Sequence, residues 1–391
     1  MSAVAVAPRE IVSAFRERFG GDSAPDVYRA PGRVNLIGEH TDYNLGFVFP
    51  IALEMACYIG VSGAKHGKLR LYSREIKDGF EIGIGDIAGA SRRDKWTDYV
   101  VGVAQQLERS GVTVESADLY IASDVPVGSG LSSSAAIEIA SAFALLGSRQ
   151  LALPEIVQIG HRAETQFVGI PSGVMDQYAS VFGREGAAIQ IDCRSLEHEY
   201  VEMPREASII AVNSMVKHEL GASAYRDRVA ECQAAVREIK KFDARVESLR
   251  DVSLDFFGSI QDRIPEVPRR RARHVISEDQ RVLDFARAAR AGDLPQMGRL
   301  FVESHRSMQH DYEVSAEEID FLVDTAIEIP GVYGARMTGG GFGGCTVNLV
   351  APSAVGEFRT RIGAAYEDRY AVKPVFYDCT PAAGAGRITL N

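Results

Sequence analysis

Residues 128–135 read Gly-Ser-Gly-Leu-Ser-Ser-Ser-Ala, and this segment decides how the rest of the chain is interpreted. A short apolar stretch at residues 119–122 precedes it and predicts a strand, while the alanine- and leucine-rich residues 135–146 predict a helix. Glycine permits positive φ and a close backbone approach to a ligand. The serines fall on the first helical turn, where unpaired N–H groups and the helix dipole attract anions. The segment is a candidate phosphate loop, and a serine-capped helix after a flexible turn is the structural alternative.

The segment differs from the common nucleotide-binding loops, because no lysine follows its glycines and its spacing does not fit a dinucleotide fingerprint. A second glycine-rich run, GGGFGG at residues 339–344, precedes a predicted strand at residues 346–350. Glycine destabilises regular elements, so this run predicts either a tight backbone contact or a hairpin-like turn.

A polar cluster lies near the amino terminus, where the candidate ligand-binding side chains are Arg33, Glu39, His40, Asp42 and Asn44. A sugar needs several convergent donors and acceptors, and this set supplies both. A metal site is the alternative for Glu39, His40 and Asp42, but no second histidine or cysteine lies nearby to complete it. A solvated loop is the structural alternative.

Two further carboxylates stand out. Asp176 follows a Pro-Ser-Gly turn at residues 171–173, and Glu164 lies on a predicted helix at residues 155–167. Taken alone, Asp176 is typical of a helix cap and Glu164 of a surface charge.

Together, three segments resemble the motifs of one protein family. Residues 32–44 (GRVNLIGEHTDYN) resemble the galactokinase signature, and residues 128–135 resemble the phosphate loop of the GHMP small-molecule kinases. Residues 336–345 (RMTGGGFGGC) resemble the third motif of that superfamily. Other similar stretches lie at residues 95–100, 175–177, 191–196 and 302–307, so the resemblance covers nearly the whole chain. The glycine-rich motifs indicate the superfamily only, whereas the HTDYN segment indicates galactokinases.

The resemblance implies an α+β fold of two lobes with the active site in the cleft between them. The N-terminal lobe would resemble ribosomal protein S5 and the C-terminal lobe would be ferredoxin-like. We expect the lobes at residues 1–195 and 196–391, with a final segment after Phe376 that can cross back to the first lobe. A chain of 391 residues also exceeds the usual size of a single hydrophobic core.

The resemblance also implies a reaction: ATP, with Mg²⁺, phosphorylates the anomeric hydroxyl of α-D-galactose, giving galactose 1-phosphate and ADP. By position, Asp176 would be the catalytic base, with Arg33 as its cationic neighbour. The implied galactose contacts are Arg33, Glu39, His40, Thr41, Asp42, Gly173, Asp176 and Tyr225. The implied ATP contacts are Gly128, Ser129, Gly130, Leu131, Ser132, Ser133 and Ser134, with Trp96 and Tyr99 near the adenine. Ser134 and Glu164 would hold the magnesium ion.

Two related functions stay open at this point. An N-acetylgalactosamine kinase would share the fold, although the Thr-Asp-Tyr-Asn sequence at residues 41–44 favours galactose. A catalytically silent sugar sensor that regulates transcription would also resemble this family. The intact serine run at residues 132–134 favours an enzyme.

Composition excludes other classes of function. The net charge of -10 argues against nucleic acid or an anionic membrane as a partner, and the basic run at residues 269–273 is typical of a solvated helix face. Five scattered cysteines suit a reducing cytoplasm rather than a disulfide framework or a zinc site. The sequence shows neither a signal peptide nor a membrane-spanning stretch. We therefore expect a cytoplasmic protein, and we expect it to be a monomer.

Overall fold

The structure is a computed structural model that describes residues 6–21, 24–217 and 221–389. Within these residues the α-helices are α1 (Pro8–Phe19), α2 (Thr97–Arg109), α3 (Ser133–Leu146), α4 (Leu153–Arg162), α5 (Met175–Phe182), α6 (Gly221–Ile239), α7 (Leu254–Ile260), α8 (Glu266–Ala291), α9 (Leu294–Ser307), α10 (Glu317–Ile327) and α11 (Val355–Tyr370). The strands are β1 (Asp26–Asn35), β2 (Phe47–Val48), β3 (Pro50–Gly63), β4 (Lys68–Ser73), β5 (Asp78–Gly83), β6 (Ala117–Ser123), β7 (Ala187–Asp192), β8 (Glu197–Glu202), β9 (Ser208–Lys217), β10 (Val332–Thr338), β11 (Gly343–Val350), β12 (Val375–Asp378) and β13 (Gly386–Ile388).

The first sheet has six strands in the order β13-β1-β3-β6-β4-β5. Its pairs are antiparallel except β4 with β6, and β1 changes register between Pro31 and Arg33. Helices α3 and α5 pack against β1 and β3. This packing brings the start of α3, the start of α5 and the end of β1 together, which is where the phosphate loop, Asp176 and Arg33 lie.

Two further sheets complete the molecule. One has four antiparallel strands in the order β10-β11-β9-β12, with α9 and α10 against β10. The other is a three-stranded sheet, β2-β7-β8, which α8 contacts. The combination of helices and mainly antiparallel strands is the expected α+β class.

The carboxyl-terminal strand β13 pairs with β1 of the first sheet, with Tyr28 opposite Arg387. The chain therefore returns to the first sheet after completing the four-stranded one. The lobe boundary between residues 195 and 196 stays a prediction.

The apolar residues 47–53 belong to two strands in two sheets; between these strands Phe49 donates its backbone N–H to Ile37 O, and Pro50 has no N–H. One predicted element differs in detail from the structure. The helix expected at residues 155–167 ends as α4 at Arg162 and continues as a π-helical turn, Ala163–Val168. Among the described residues, no helix is long and apolar enough to cross a membrane.

Candidate active site

A cavity of 460 Å³ opens between β1, the phosphate loop, α5 and the glycine-rich connection of β10 to β11. It collects residues that are far apart in the sequence. Its lining includes Arg33, Glu39, His40, Asp42, Gly128, Glu164, Ser172, Gly173, Asp176, Tyr225, Arg226, Gly340 and Phe342. Of the predicted galactose contacts, all but Thr41 line this cavity.

Arg33 and Asp176 form an ion pair in the cavity wall. Nε and Nη2 of Arg33 each donate to a different carboxylate oxygen of Asp176, both at 2.9 Å. The remaining nitrogen, Nη1, donates to the carbonyl oxygen of Gly130 at 2.6 Å. The guanidinium therefore fixes the carboxylate against the phosphate loop, and 22% of the Asp176 side chain stays exposed.

The phosphate loop is held by its own backbone and by Asp176. Ser132, the residue immediately before α3, has a φ of 61°, in the left-handed region, and its hydroxyl donates to Asp176 Oδ2. The backbone N–H of Arg33 donates to Leu131 O at 3.2 Å, and the Ser129 hydroxyl donates to Pro126 O. Backbone strain of this kind persists where surrounding contacts enforce it, often at a ligand site.

The second glycine-rich run packs against this loop. A Cβ on Gly339 would lie 3.3 Å from Gly130 O, and one on Gly344 would lie 3.2 Å from Ser129 O. Both glycines also have positive φ, which L side chains rarely adopt. The expected tight backbone contact is therefore confirmed, and the run also forms the turn between β10 and β11.

Glu39 is buried beside the second glycine-rich run. Its carboxylate accepts from the guanidinium of Arg336, and from the backbone N–H of Gly339 at 3.1 Å. Burial raises the pKa of Glu39, although the charge of Arg336 opposes that shift. Arg336 is itself fully buried and also donates to Leu36 O.

Asp42 lies close enough to Asp176 and Arg33 to interact with their charges, and it belongs to a short 3-10 turn, Asp42–Asn44. Burial raises the pKa of Asp42 to about 7, and the negative charge of Asp176 adds to the shift. Gly173 lies directly against this carboxylate, where a Cβ would come within 2.2 Å of it. This wall of the cavity is therefore acidic and tightly packed.

His40 lies beside Asp42 with a φ of 64°. Its ring packs against the rings of Tyr225 and Tyr312, with centroids 5.5 and 4.7 Å away. Nδ1 pairs with the Tyr43 hydroxyl, whereas Nε2 has no partner among the described residues.

Nine predicted contacts lie outside the cavity lining: Thr41, Trp96, Tyr99 and the loop residues Ser129, Gly130, Leu131, Ser132, Ser133 and Ser134. The Thr41 hydroxyl donates to Gly38 O and Phe47 O, so it stabilises the loop that carries Glu39 to Asp42. The indole N–H of Trp96 donates to the carboxylate of Asp78. Burial raises the pKa of the Tyr99 hydroxyl to about 12. Trp96 and Tyr99 lie at the start of α2 and do not line the cavity.

Glu164 belongs to a buried group of polar side chains beneath the phosphate loop. Its Oε2 accepts from Ser172 at 2.5 Å and from Gln177 at 3.0 Å, and Gln177 also donates to Glu138. Burial raises the pKa of Glu164 and the charge of Asp176 adds to it, while hydrogen bonds, including one from Ser134, oppose it.

The predicted Ser134–Glu164 pair fits a magnesium ion that keeps most of its water. Magnesium often binds through one or two carboxylates together with substrate phosphates, so a complete protein cage is not required. No group of three or more histidine, cysteine or acidic side chains in the described residues could hold a metal alone. This also applies to Glu39, His40 and Asp42, for which a metal site was the alternative.

Sequence reasoning missed Arg336 as the partner of Glu39 and missed Glu138 below the loop. Glu138 had a usable signal, since it is a lone carboxylate in the apolar helix α3. Burial raises the pKa of Glu138 well above its usual range. No sequence signal links Arg336 to Glu39, which is 297 residues away.

Three segments of the chain match models of known protein families. Residues 13–63 match the model of the galactokinase galactose-binding signature. Residues 98–184 and 285–368 match the models of the GHMP kinase N-terminal and C-terminal domains.

Relatives match over nearly the full length. A galactokinase of Roseiflexus sp. is 44% identical over 96% of this chain and 97% of its own. A galactokinase of Chloroflexus aurantiacus is 43% identical over 96% of both chains. The crystal structure of Lactococcus lactis galactokinase complexed with galactose superposes with a TM-score of 0.93, at 34% identity over 97% of this chain and 99% of that one. These matches establish that the chain belongs to the galactokinase family of the GHMP kinases.

Proposed function

We propose that this galactokinase transfers the γ-phosphoryl group of ATP to the anomeric hydroxyl of galactose, with Asp176 as the base. The observation that carries the residue roles is the Arg33–Asp176 ion pair in the cavity wall. It lies between a polar wall that suits a sugar and a glycine-serine loop that suits phosphates.

The chemical step needs in-line positioning of the hydroxyl and neutralisation of charge on the moving phosphoryl group. Asp176 accepts the proton of the anomeric hydroxyl while that oxygen forms a bond to the γ-phosphorus. The bond to the bridging oxygen of ADP breaks at the same time. Arg33 holds the Asp176 carboxylate in place through two hydrogen bonds and brings a positive charge to the transferring phosphoryl oxygens.

The phosphates would lie along residues 128–134, at the start of α3. The first-turn N–H groups and the helix dipole of α3 favour negative charge at this position. Ser134 and Glu164 would hold magnesium, which when bound neutralises charge on the phosphates. Trp96 and Tyr99 stay predictions for the adenine, as do a monomeric state and a cytoplasmic location.

Sugar selectivity would come from the wall of Glu39, His40 and Asp42. A sugar epimer that leaves one buried polar group of this wall unpaired costs about 1–3 kcal/mol. A wall of several such groups can therefore reject glucose through hydrogen-bond geometry.

The test is ATP turnover by the purified protein with galactose, glucose and N-acetylgalactosamine, with the phosphate position read by phosphorus NMR. Galactose-dependent ADP release with phosphate on the anomeric oxygen is expected. Asp176→Asn should lose turnover while it retains ATP binding, whereas the exposed Asp368→Asn should keep both. Wild-type turnover by Asp176→Asn would remove Asp176 from the mechanism.

A further inference from the structure

The cavity wall formed by Glu39, His40 and Asp42 is called the sugar wall below. A row of polar side chains extends from this wall into the protein interior. Nδ1 of His40 lies 2.9 Å from the Tyr43 hydroxyl, which lies 2.7 Å from the Tyr312 hydroxyl. The Tyr312 hydroxyl in turn lies 3.0 Å from Sγ of Cys232. We call these four side chains the His40 row.

The row is shielded from solvent. His40, Cys232 and Tyr312 are buried, and Tyr43 is half-buried. The His40 ring packs on Tyr312 and Tyr225. The hydrogen bonds within the row satisfy His40 Nδ1 and both tyrosine hydroxyls, as buried polar groups require, and Cys232 also hydrogen-bonds with Asn44.

The far side of the His40 ring meets the cavity. His40 lines the cavity, and its Nε2 is buried without a hydrogen-bond partner among the described residues. An unpaired buried polar atom of this kind is costly unless a ligand satisfies it. A sugar hydroxyl in the cavity is the chemical group that would pair with it.

Which group Nε2 can pair with depends on where the imidazole proton lies. Burial lowers the pKa of His40 well below its usual range, so the ring is neutral and carries one N–H. If Nδ1 accepts from Tyr43, then Nε2 carries the proton and donates. If Nδ1 donates to Tyr43, then Nε2 is an acceptor.

The chemistry of the row favours one direction. A neutral imidazole nitrogen is a good acceptor and a phenolic hydroxyl a good donor, whereas a thiol is weak in both roles. The strongest arrangement therefore has Tyr43 donating to His40, Tyr312 donating to Tyr43, and the Cys232 thiol donating at the far end. Chains that run in one direction also strengthen each bond.

We propose that Cys232, Tyr312 and Tyr43 hold His40 in the tautomer with its proton on Nε2, so that His40 donates a hydrogen bond to a galactose hydroxyl. This inference rests on the proposed function for the identity of the sugar. Tyr43, Tyr312 and Cys232 are positioning residues, since they act on the sugar only through His40.

The tautomer can be measured without any sugar. In protein with ¹⁵N-labelled histidine, the His40 signals are assigned by their loss in His40→Gln. We expect a protonated Nε2 and an unprotonated Nδ1 in the wild type, and a shift toward the other tautomer in Tyr43→Phe. Tyr366→Phe is the matched control, because its buried hydroxyl donates only to Ser214 O, far from the row. A proton on Nδ1 in the wild type would overturn the proposal.

Kinetics give the second measurement. Tyr43→Phe and Tyr312→Phe should raise the KM for galactose about tenfold and leave the KM for ATP unchanged, since one hydrogen bond to the sugar is lost. Cys232→Ala should act in the same direction, and Cys232→Ser should restore the wild-type value because a hydroxyl donates better than a thiol. An unchanged galactose KM in all three hydroxyl- or thiol-deleted variants overturns the proposal.

The outcomes separate the two proposals. A wild type that does not phosphorylate galactose defeats the proposed function, while the ¹⁵N spectrum still tests the row. If Tyr43→Phe fails to fold by circular dichroism, the Cys232→Ala and Cys232→Ser pair decides, because both changes are small.

Discussion

Gly173 and the carboxylate of Asp42 are in direct contact, so that a Cβ added to Gly173 would lie 2.2 Å from Asp42 Oδ2. Gly173 comes just before α5, which carries Asp176. The contact therefore joins the sugar wall to the segment that positions the proposed base.

Gly173→Ala should consequently raise the KM for galactose and lower kcat, because Asp42 must move out of its position. A displacement of about 1 Å can cost on the order of 100-fold in rate. Steady-state kinetics with galactose and ATP varied separately measures the effect. Gly363→Ala in α11 is the control, since a Cβ there meets nothing within 4 Å. Equal values of kcat and of the KM for galactose in Gly173→Ala and Gly363→Ala would show that the Gly173–Asp42 contact has no effect on catalysis.

The buried Arg336 predicts a large effect on stability. It is fully buried between Glu39 and Glu278, with Glu278 3.8 Å from Nη2. Removing one partner of a buried ion pair leaves an uncompensated charge and costs about 3–5 kcal/mol. Arg336→Met should lower the free energy of unfolding in urea by that amount.

Arg369→Met is the matched control for Arg336→Met. Arg369 pairs with Glu317 on the surface, where the two side chains are 58% and 72% exposed. Such pairs contribute about 0–1 kcal/mol. Equal losses of unfolding free energy in the two variants would show that the buried ion pairs of Arg336 stabilise the fold no more than a surface pair does.

Asp279 predicts a pH dependence of stability. It accepts from the Phe47 N–H at 2.8 Å, and burial raises its pKa from 3.8 to about 7. The folded state therefore holds this proton more tightly than the unfolded chain, so the stabilisation is complete below pH 4 and is lost as the pH rises through about 7.

Relative to Asp279→Asn, the wild type should lose roughly 2 kcal/mol of unfolding free energy between about pH 5.5 and pH 8. Up to the pKa of Asp279, the loss is about 1.4 kcal/mol for each pH unit. Urea denaturation of both proteins at several pH values measures the difference. A constant difference across this range would mean that Asp279 titrates alike in both states.

Glu164 predicts a change in magnesium dependence. Glu164→Gln keeps the shape of the side chain but removes the charge that attracts the cation, so the magnesium concentration for half-maximal turnover should rise at least about tenfold. The KM for galactose should change little. Glu185→Gln, an exposed carboxylate, is the control. An unaltered magnesium dependence in Glu164→Gln would exclude Glu164 as a ligand.

The cavity wall was largely predictable from the sequence because its residues lie in compact motifs. Glu39 to Asp42 occupy one loop, and the serine run begins one helix. Family resemblance linked these motifs to Asp176, which is 143 residues from Arg33. The fold class was predictable for the same reason.

The supporting interactions were not predictable, since they depend on tertiary packing rather than on local pattern. Arg336 looked like the first residue of a glycine motif, and only the pairing of distant segments shows that it neutralises Glu39. The π-helical turn at Ala163–Val168 likewise has the periodicity of an ordinary helix. The division of residues 47–53 between two sheets likewise depends on long-range pairing, because β2 pairs with β7 and β3 pairs with β1.

The pairing of β13 with β1 has a consequence for how the protein is made. β1 carries Arg33, yet the strand that covers one of its edges comes from residues 386–388. During synthesis the first sheet therefore has an open edge at β1 until residues 386–388 have been made. An open strand edge can pair with other chains, so this interval is when newly made protein is most exposed to aggregation.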